Sequence, residues 1–418
     1  MRRYQKRTEQ QQPAKPVQIS LEIDLDRLQT MINDGLQGMA FEIGLEVAES
    51  LMAEEVSQRC GPKRKRDSNR KIYRYGAQRG WVLFSGQRVG VVRPRIRWVG
   101  GGEAELDTYR RLQKEPAEDA VMRRLVRGVS CRDYRAVVEA IRQGRGISAA
   151  AVSRSFVQAS AARVRELAER QFHRVRFAAI LIDGVVFARE TVIVAIGVME
   201  GGEKHVLALR HGATENAQAC KDLLLDLRAR GVSMEHRMLF VIDGSKALRT
   251  AISQICGEQA LVQRCRAHKL RNVRAYIPNK HWPEVNQRIH KAYADSNVKR
   301  AQKSLEATAK WLEWINPHAA ESLREGLAET LTVTALGLSG ALHRSLATTN
   351  MIESVFSRAR MMTSRVKRWR PGSMRQRWCA TALLHAEHGF HRIYGHSDIA
   401  TQLLPKLDAN PTPVTKSA

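Results

Sequence analysis

Two aspartates of the sequence stand where a carboxylate can bind a metal ion. Asp183 and Asp243 each follow an apolar run that has the composition of a buried strand, and each precedes a glycine. Open α/β sheets present functional side chains at the carboxyl ends of their strands. If the two strands are neighbours, one rim carries both carboxylates, where paired Mg²⁺ or Mn²⁺ ions ~3.5–4 Å apart can promote phosphoryl transfer. An Asp-Gly pair is also an ordinary turn, so both interpretations stay open.

A third acidic candidate is Glu353, at the start of a predicted helix. Asn350 has the side chain of a helix N-cap, and a glutamate three residues later is favoured by the helix dipole and by a reciprocal bond. Glu353 can therefore be a third metal ligand or only a capping residue, and the residues alone do not decide between these. The candidate catalytic and metal-binding set is Asp183, Asp243 and Glu353, with Asn350 in a supporting position.

Cys265 and His268 form a CxxH pair after a further apolar strand. A zinc site would need two more ligands, and the spacing of the nearest candidates, Cys256 and His281, matches no common zinc pattern. Cys265 and His268 would instead support the acidic site or contact a phosphate. The alternative is a core cysteine and a surface histidine.

A strongly basic segment follows Glu353. Residues 354–378 contain eight Lys or Arg and no acid. A run of charge is usually a solvated surface, but this one adjoins a candidate ligand and lacks balancing acids, which favours phosphate binding. The candidate DNA contacts are Arg358, Arg360, Arg365, Lys367, Arg368 and Arg370, together with Lys269 and Arg271 beside the CxxH pair.

The elements that must position these residues follow a β-β-β-α-β-α-β-α order. Strands are predicted over residues 178–183, 191–198, 204–210, 238–243 and 260–264, with helices over 215–230, from about 245 and from about 267. Three antiparallel strands followed by crossover units give a mixed five-stranded α/β sheet covered by helices, which is the ribonuclease-H-like arrangement. Residues 282–346 have a wholly helical pattern. Trp311 and Trp314, both within that segment, are expected in its core, and the alternative is that one of them stacks on an unpaired base at a DNA end.

The part of the chain before this sheet is basic. Between Gly61 and Trp98, twelve Lys or Arg stand against one acid, and alternating apolar residues with Gly and Pro predict a small β-unit. From about residue 108 to 172, short helical segments with glycine turns fit either a helix-turn-helix or a plain helical connector, and Ser148 is a candidate N-cap.

These patterns predict six segments. They are a disordered basic arm (1–20), an N-terminal helix with the basic β-unit (21–107), a helical DNA-binding region (108–172), a ribonuclease-H-like core (173–280 and 347–395), an all-helical insertion (281–346) and a C-terminal tail (396–418).

Composition indicates a polyanionic partner. The chain of 418 residues has a formal net charge of +27, far more than solubility requires. No stretch approaches ~20 uncharged apolar residues, and the basic, Gln-rich N-terminus lacks the apolar segment of a secretory signal, so we expect neither a membrane span nor export. Six scattered cysteines fit a reduced, cytoplasmic protein. Nucleic acid is the expected partner.

Four ordered motifs resemble those of the Mutator-like bacterial insertion-sequence transposases. They are Leu181-Ile-Asp183-Gly, Phe240-Val-Ile-Asp243-Gly, Gln263-Arg-Cys265-Arg-Ala-His268-Lys-Leu-Arg-Asn272 and Thr348-Thr-Asn-Met-Ile-Glu353. The resemblance covers residues 73–395 and implies a DDE triad of Asp183, Asp243 and Glu353 on a ribonuclease-H-like core. It departs after the glutamate, where many relatives carry Asn-x-x-x-Arg and this chain has Phe356-Ser-Arg-Ala-Arg360.

The same resemblance implies an activity. Such an enzyme hydrolyses transposon ends to expose a 3′-hydroxyl and joins it to target DNA, with two Mg²⁺ (or Mn²⁺) ions per site. It implies that double-stranded DNA with terminal inverted repeats is recognised, with residues 60–170 as the candidate reader, and that a homodimer synapses two ends in the nucleoid-associated bacterial cytoplasm.

Three other functions remain open at this point. A structure-directed nuclease or resolvase could use the same core, but would read DNA shape instead of terminal repeats. A non-catalytic DNA-binding relative could carry the three acids without using them. A membrane-surface protein is the most distant, because the basic residues do not follow an amphipathic helix with aromatic anchors.

Overall fold

The computed structural model describes residues 25–26, 28–29, 35–64, 69–84, 87–113, 117–134, 148–212, 214, 216–364, 366–370 and 373–409. The predicted arm, residues 135–147 of the predicted helix-turn-helix, Arg365 and the last nine residues of the tail lie outside these ranges. The described residues form two compact units, one within Met1–Leu125 and Val129–Phe156 and the other within Val126–Gly128 and Val157–Ala418. Across the described ranges, no helix combines the length and the apolar character that a membrane crossing requires.

The first unit is built around a small antiparallel sheet. Helix α1 (Gly35–Cys60) precedes strands β1 (Ile72–Phe84), β2 (Gln87–Trp98) and β3 (Glu103–Ala104), which pair in that order. The alternation of residues 72–98 buries one face of the hairpin against α1, where Met52 packs with Val82 and Val91. The other face carries Tyr75, whose ring lies 3.8 Å from the guanidinium of Arg97. Helices α2 (Asp107–Gln113) and α3 (Ala117–Val126) follow.

A long helix, α4 (Ala149–Glu169), leads toward the larger sheet. Its first turn is capped by Ser148, whose hydroxyl oxygen accepts a hydrogen bond from the backbone nitrogen of Ala151 (3.2 Å). The N-cap predicted at Ser148 is therefore confirmed.

The second unit contains a mixed five-stranded sheet. Its strands are β4 (Phe177–Phe187), β5 (Glu190–Met199), β6 (Lys204–His211), β7 (Met238–Ile242) and β8 (Ala260–Arg264), in the spatial order β6-β5-β4-β7-β8. The pairs β4–β5 and β5–β6 are antiparallel, whereas β4–β7 and β7–β8 are parallel. All five predicted strands are present. The bounds of β8 are as predicted, and those of the other four strands differ by a few residues at one or both ends.

The end of β4 differs from the prediction. Its parallel pairing with β7 stops at Ile182, but its antiparallel pairing with β5 continues to Phe187. Asp183 therefore lies inside a strand and not at its end, because β5 still provides hydrogen-bond partners after β7 has finished.

Helices cover the sheet. Helix α5 (Ala217–Ala229) begins at the N-cap Asn216, and α6 (Lys246–Cys256) begins at the N-cap Ser245. Their apolar sides, which include Leu224 and Ile252, pack on one face of the sheet with Ile180 and Ile182. Helix α7 (Arg266–Ala275) follows β8 directly.

The segment predicted to be wholly helical, residues 282–346, is built from helices and has its own core. It comprises α8 (Trp282–Ala294), α9 (Val298–Glu313), α10 (Pro317–Arg324), α11 (Thr332–Ala335) and α12 (Gly340–Leu346). Its core includes Ile289 and Leu305, and Trp311 packs against it. Trp314 does not, contrary to the expectation: it occupies the C-cap of α9, where the helix ends, and is 90% exposed.

The chain then returns to the sheet. Helix α13 (Asn350–Thr363) packs against β4, and α14 (Ser373–Glu387) packs against β6. The last described helix, α15 (Leu404–Asp408), follows a π-helical turn (Ile399–Leu403).

Candidate active site

One row of the sheet presents three polar side chains at the same rim. Ile182, Ile242 and Arg264 lie opposite one another across the parallel strands β4, β7 and β8. The next residue in each case carries a functional group: Asp183, Asp243 and Cys265. The condition set by the sequence, that the two aspartate strands be neighbours, is met. Both carboxylates therefore leave the sheet on the side where α/β sheets build their sites.

Each aspartate is followed by a glycine, and the structure requires glycine at the two positions for different reasons. Gly244 adopts a φ of 108°, which favours glycine, so Asp243 does precede a turn. Gly184 stays in the strand, and an added Cβ there would come within 3.2 Å of the Thr214 side chain. At Asp183 the turn interpretation is therefore excluded, and close packing explains the glycine.

Helix α13 brings Glu353 to Asp183. Side chains alternate along a strand, so Asp183 and Phe187 share a face of β4. Phe187 packs edge-on against Phe356 (ring centroids 6.3 Å apart), and Glu353 lies one turn before Phe356 on the same side of α13. As a result Asp183, His268 and Glu353 each offer one ligand atom, and these atoms all lie within 4.8 Å of one another.

Asp183 is the most buried member of this group. It is 1% exposed, and within the described part of the chain its Oδ1 has no hydrogen-bond partner. Burial, reinforced by the negative charges of Asp243 and Glu353, raises its pKa to about 6 against the opposing effects of His268 and Thr349. A buried carboxylate oxygen without a partner is costly to maintain, and a bound cation would satisfy it. The oxygen-rich donor set fits a divalent ion such as Mg²⁺ or Mn²⁺.

Asp243 stands beside that group and is oriented by the protein. Its Oδ2 accepts a hydrogen bond from the Thr214 hydroxyl (2.7 Å), and its Oδ1 accepts one from the backbone nitrogen of Ser245 (2.9 Å). Ser245 in turn caps α6 through a bond from the nitrogen of Leu248. Thr214 was not singled out from the sequence, because nothing in its surroundings marks it.

Thr349 connects the CxxH pair to the acidic site. Its backbone nitrogen and its hydroxyl both donate to the Cys265 sulfur (3.3 and 3.4 Å), and the hydroxyl lies 3.4 Å from His268 Nδ1. Burial alone would raise the pKa of the Cys265 thiol, but the bonds to His268 and Thr349 lower it. Burial would likewise lower the pKa of His268, but the bond to Cys265 and the charge of Asp183 raise it.

The Thr349 hydroxyl bonds Cys265 and does not cap helix α13. The helix starts at Asn350, with Thr349 in the N-cap position and no side-chain capping bond. The N-cap predicted at Asn350 is therefore wrong, and its side chain is exposed. Glu353 is not in capping-box position; its carboxylate accepts a hydrogen bond from Arg271 and faces His268 Nε2, 3.9 Å away.

The candidate DNA contacts divide into exposed and buried side chains. Arg271 is half-exposed on α7. The others that the structure describes on and after α13 are exposed: Arg358, Arg360, Lys367, Arg368 and Arg370. Lys269 is different: it is 4% exposed, and its ammonium donates to the carbonyl oxygens of Ser322 and Glu325. Because Lys269 is used inside the protein, we leave it out of the DNA surface proposed below.

Comparison with known proteins identifies the family of this chain. Residues 17–388 match the family model described as transposase, Mutator family. The transposase for insertion sequence element ISRM5 of Rhizobium meliloti (strain 1021) is 29% identical over 79% of this chain and 82% of its own length. The transposase for insertion sequence element IS6120 of Mycolicibacterium smegmatis is 26% identical over 59% of this chain and 76% of its own length. The chain belongs to the Mutator family of transposases.

Proposed function

We propose that this transposase cleaves the ends of its insertion sequence and joins the exposed 3′-hydroxyl to target DNA with a DDE triad of Asp183, Asp243 and Glu353. The observation that carries the proposal is the position of Asp183: Glu353 and His268 offer ligand atoms beside it, Asp243 follows the neighbouring parallel strand, and among the described residues its Oδ1 has no hydrogen-bond partner. Mg²⁺ or Mn²⁺ bound there, with two ions expected per site, would activate the attacking oxygen and stabilise the leaving one.

The surrounding residues support an in-line displacement at phosphorus. Thr214 and the backbone of Ser245 keep the Asp243 carboxylate in one orientation before DNA arrives. Arg271 holds the Glu353 carboxylate and is exposed enough to meet a phosphate. We interpret the strand order β6-β5-β4-β7-β8 as a ribonuclease-H-like core, with the helical insertion placed before the third acid.

The DNA path follows the exposed basic residues. We place the cleaved strand along Arg358, Arg360, Lys367, Arg368 and Arg370, with Arg365 outside the described residues. Terminal-repeat recognition belongs to the first unit, where the exposed sheet face presents arginines stacked on aromatic rings: Arg88 on Trp81, and Arg95 and Arg97 on Tyr75. A homodimer that synapses two ends in the bacterial cytoplasm completes the proposal.

Cleavage of a labelled insertion-sequence end tests the proposal. The wild type is compared in Mg²⁺, Mn²⁺ and EDTA with Asp183→Ala, Asp243→Ala and Glu353→Ala. Asp222→Ala, which removes an exposed carboxylate of α5, is the matched control. We expect metal-dependent nicking and strand transfer in wild type and control, and loss of both with DNA binding retained in the three variants.

Each contrary result has a defined meaning. Cleavage of branched DNA without preference for the terminal repeat would favour a structure-directed nuclease or resolvase. Tight binding without cleavage by any of the five proteins would favour a non-catalytic relative. Wild-type cleavage by one triad variant would remove that residue from the triad.

A further inference from the structure

His268 lies in the candidate metal group, and its Nε2 is directed toward a carboxylate without forming a hydrogen bond to it. Its Nε2 faces Glu353 Oε1 at 3.9 Å, which is too long for a hydrogen bond. Two ligands on opposite sides of one ion with ~2.1 Å bonds are separated by at most ~4.2 Å. Nε2 and Oε1 are therefore close enough together to bind one ion, and Asp183 offers a third ligand atom that lies no more than 4.8 Å from the other two residues' ligand atoms.

The other ring nitrogen is held as in a metal-binding histidine. Metal-bound imidazoles use their second nitrogen for a hydrogen bond that fixes the ring. Here Nδ1 lies 3.4 Å from the Thr349 hydroxyl, which is itself held by the Cys265 sulfur. Nε2 is left directed toward the carboxylates, and Asp183 Oδ1 beside it has no partner.

We propose that His268 is a direct ligand of one divalent ion, together with Asp183 and Glu353, so that this ion has a mixed nitrogen and oxygen environment. The inference deepens the proposed function and rests on it only for the identity of the site. Asp243 is not a member of this three-ligand group and would serve the second ion of the proposed pair, while Arg271 donates to the same Glu353 oxygen that faces His268.

The consequence is selectivity among metals. Carboxylate and water ligands suit Mg²⁺ and Mn²⁺ alike, whereas an imidazole nitrogen favours transition metals. His268 thus makes this position a better site for Mn²⁺ than for Mg²⁺. Loss of an outer partner of a metal ligand costs ~10- to 100-fold in affinity, so loss of the imidazole itself should weaken Mn²⁺ binding by at least ~10-fold, with a smaller change for Mg²⁺.

Pulsed electron paramagnetic resonance of bound Mn²⁺ tests the inference without reference to activity. The full-length protein is freed of metal with EDTA, loaded with Mn²⁺ in the absence of DNA, and measured with natural and with ¹⁵N-labelled histidine. We expect nitrogen coupling that changes from ¹⁴N to ¹⁵N on labelling. It should disappear in His268→Ala and persist in His318→Ala, which removes an exposed imidazole of α10.

The labelled wild type makes the result independent of how any variant folds. Bound Mn²⁺ without histidine nitrogen coupling would overturn the inference. So would a failure of the DNA-free protein to bind Mn²⁺, because the three ligands are assembled here without DNA. Cleavage without nitrogen coupling would refute the ligand and leave the proposed function standing. Histidine nitrogen coupling without cleavage of any end would support His268 as a ligand and contradict the proposed function.

Discussion

Replacing Asp183 by asparagine should stabilise the metal-free protein while abolishing cleavage. The Asp183 carboxyl is buried among other acids, and one of its oxygens has no partner. Asparagine has nearly the same shape but carries no charge into this environment. Active sites commonly hold such groups at a cost in stability.

The size and the sign of the effect follow from the pKa. In the folded protein the pKa of Asp183 is raised to about 6, against ~3.9 for an unperturbed aspartate. The difference of ~2 pKa units corresponds to ~3 kcal/mol. Between about pH 4 and 6 the folded state keeps a proton that the unfolded state has lost, so the contribution of this group to the free energy of unfolding falls as pH rises. In Asp183→Asn this carboxyl is absent, so its contribution to the decrease in the free energy of unfolding with pH is absent too.

Unfolding of the EDTA-treated protein at about pH 4.5 and about pH 7.5 measures the difference. Asp183→Asn should exceed the wild type by ~3 kcal/mol at the higher pH and by much less at the lower one. Asp222→Asn, an exposed aspartate of α5, should match the wild type at both. Equal stability of wild type and Asp183→Asn at the higher pH would refute the reasoning, because it would mean that the protein itself compensates the buried charge.

Three further changes test other parts of the structure. Arg266→Ala removes a buried guanidinium that bonds Thr330, Thr334, Tyr293 and His343. It should lower the free energy of unfolding in urea titrations, by ~1–3 kcal/mol for each buried acceptor that is left without a partner. Arg300→Ala, an exposed control, should change it little, and equal effects would show that the buried bonds are dispensable. Lys367→Ala with Arg368→Ala should reduce the slope of log affinity against log salt by up to ~0.9 for each phosphate that the protein no longer neutralises, measured by DNA binding at several salt concentrations, and an unchanged slope would move the DNA path elsewhere. Thr349→Val removes the hydroxyl held near Cys265 and His268, and should slow cleavage with DNA affinity intact; normal cleavage would show that it does not position the site.

The strands and the two aspartates were predictable because their signals are local. Each strand of the five-stranded sheet is a short apolar run, and β8 was predicted with its observed bounds. The parallel register that places Asp183 beside Asp243 is not local, since it depends on pairing between residues sixty positions apart in the chain. From the sequence, the pairing of the two aspartate strands could be stated only as a condition for the site.

The roles of several polar residues could not be predicted, because the sequence does not show which of its many Lys and Arg side chains are buried. Lys269 and Arg271 are two residues apart on α7, yet the first is enclosed by the insertion and the second is half-exposed. Their difference comes from the rotation of the helix and from the carbonyl groups of α10 and its C-terminal end, which lie more than fifty residues later. Thr349 was quoted within a motif, but its bonds to Cys265 and His268 required the structure.

The order of the chain also sets the order in which the site is assembled during synthesis. The whole five-stranded sheet lies between Phe177 and Arg264, so it can pair before the insertion has been made. Glu353 emerges only after the insertion, on the order of ten seconds after Asp183 at ordinary rates of translation. A nascent chain, or a product that stops within the insertion, therefore has the two aspartates and the first unit but not the third acid. If the first unit recognises the terminal repeats as proposed, such a product would bind them without the complete triad and compete with the full-length protein.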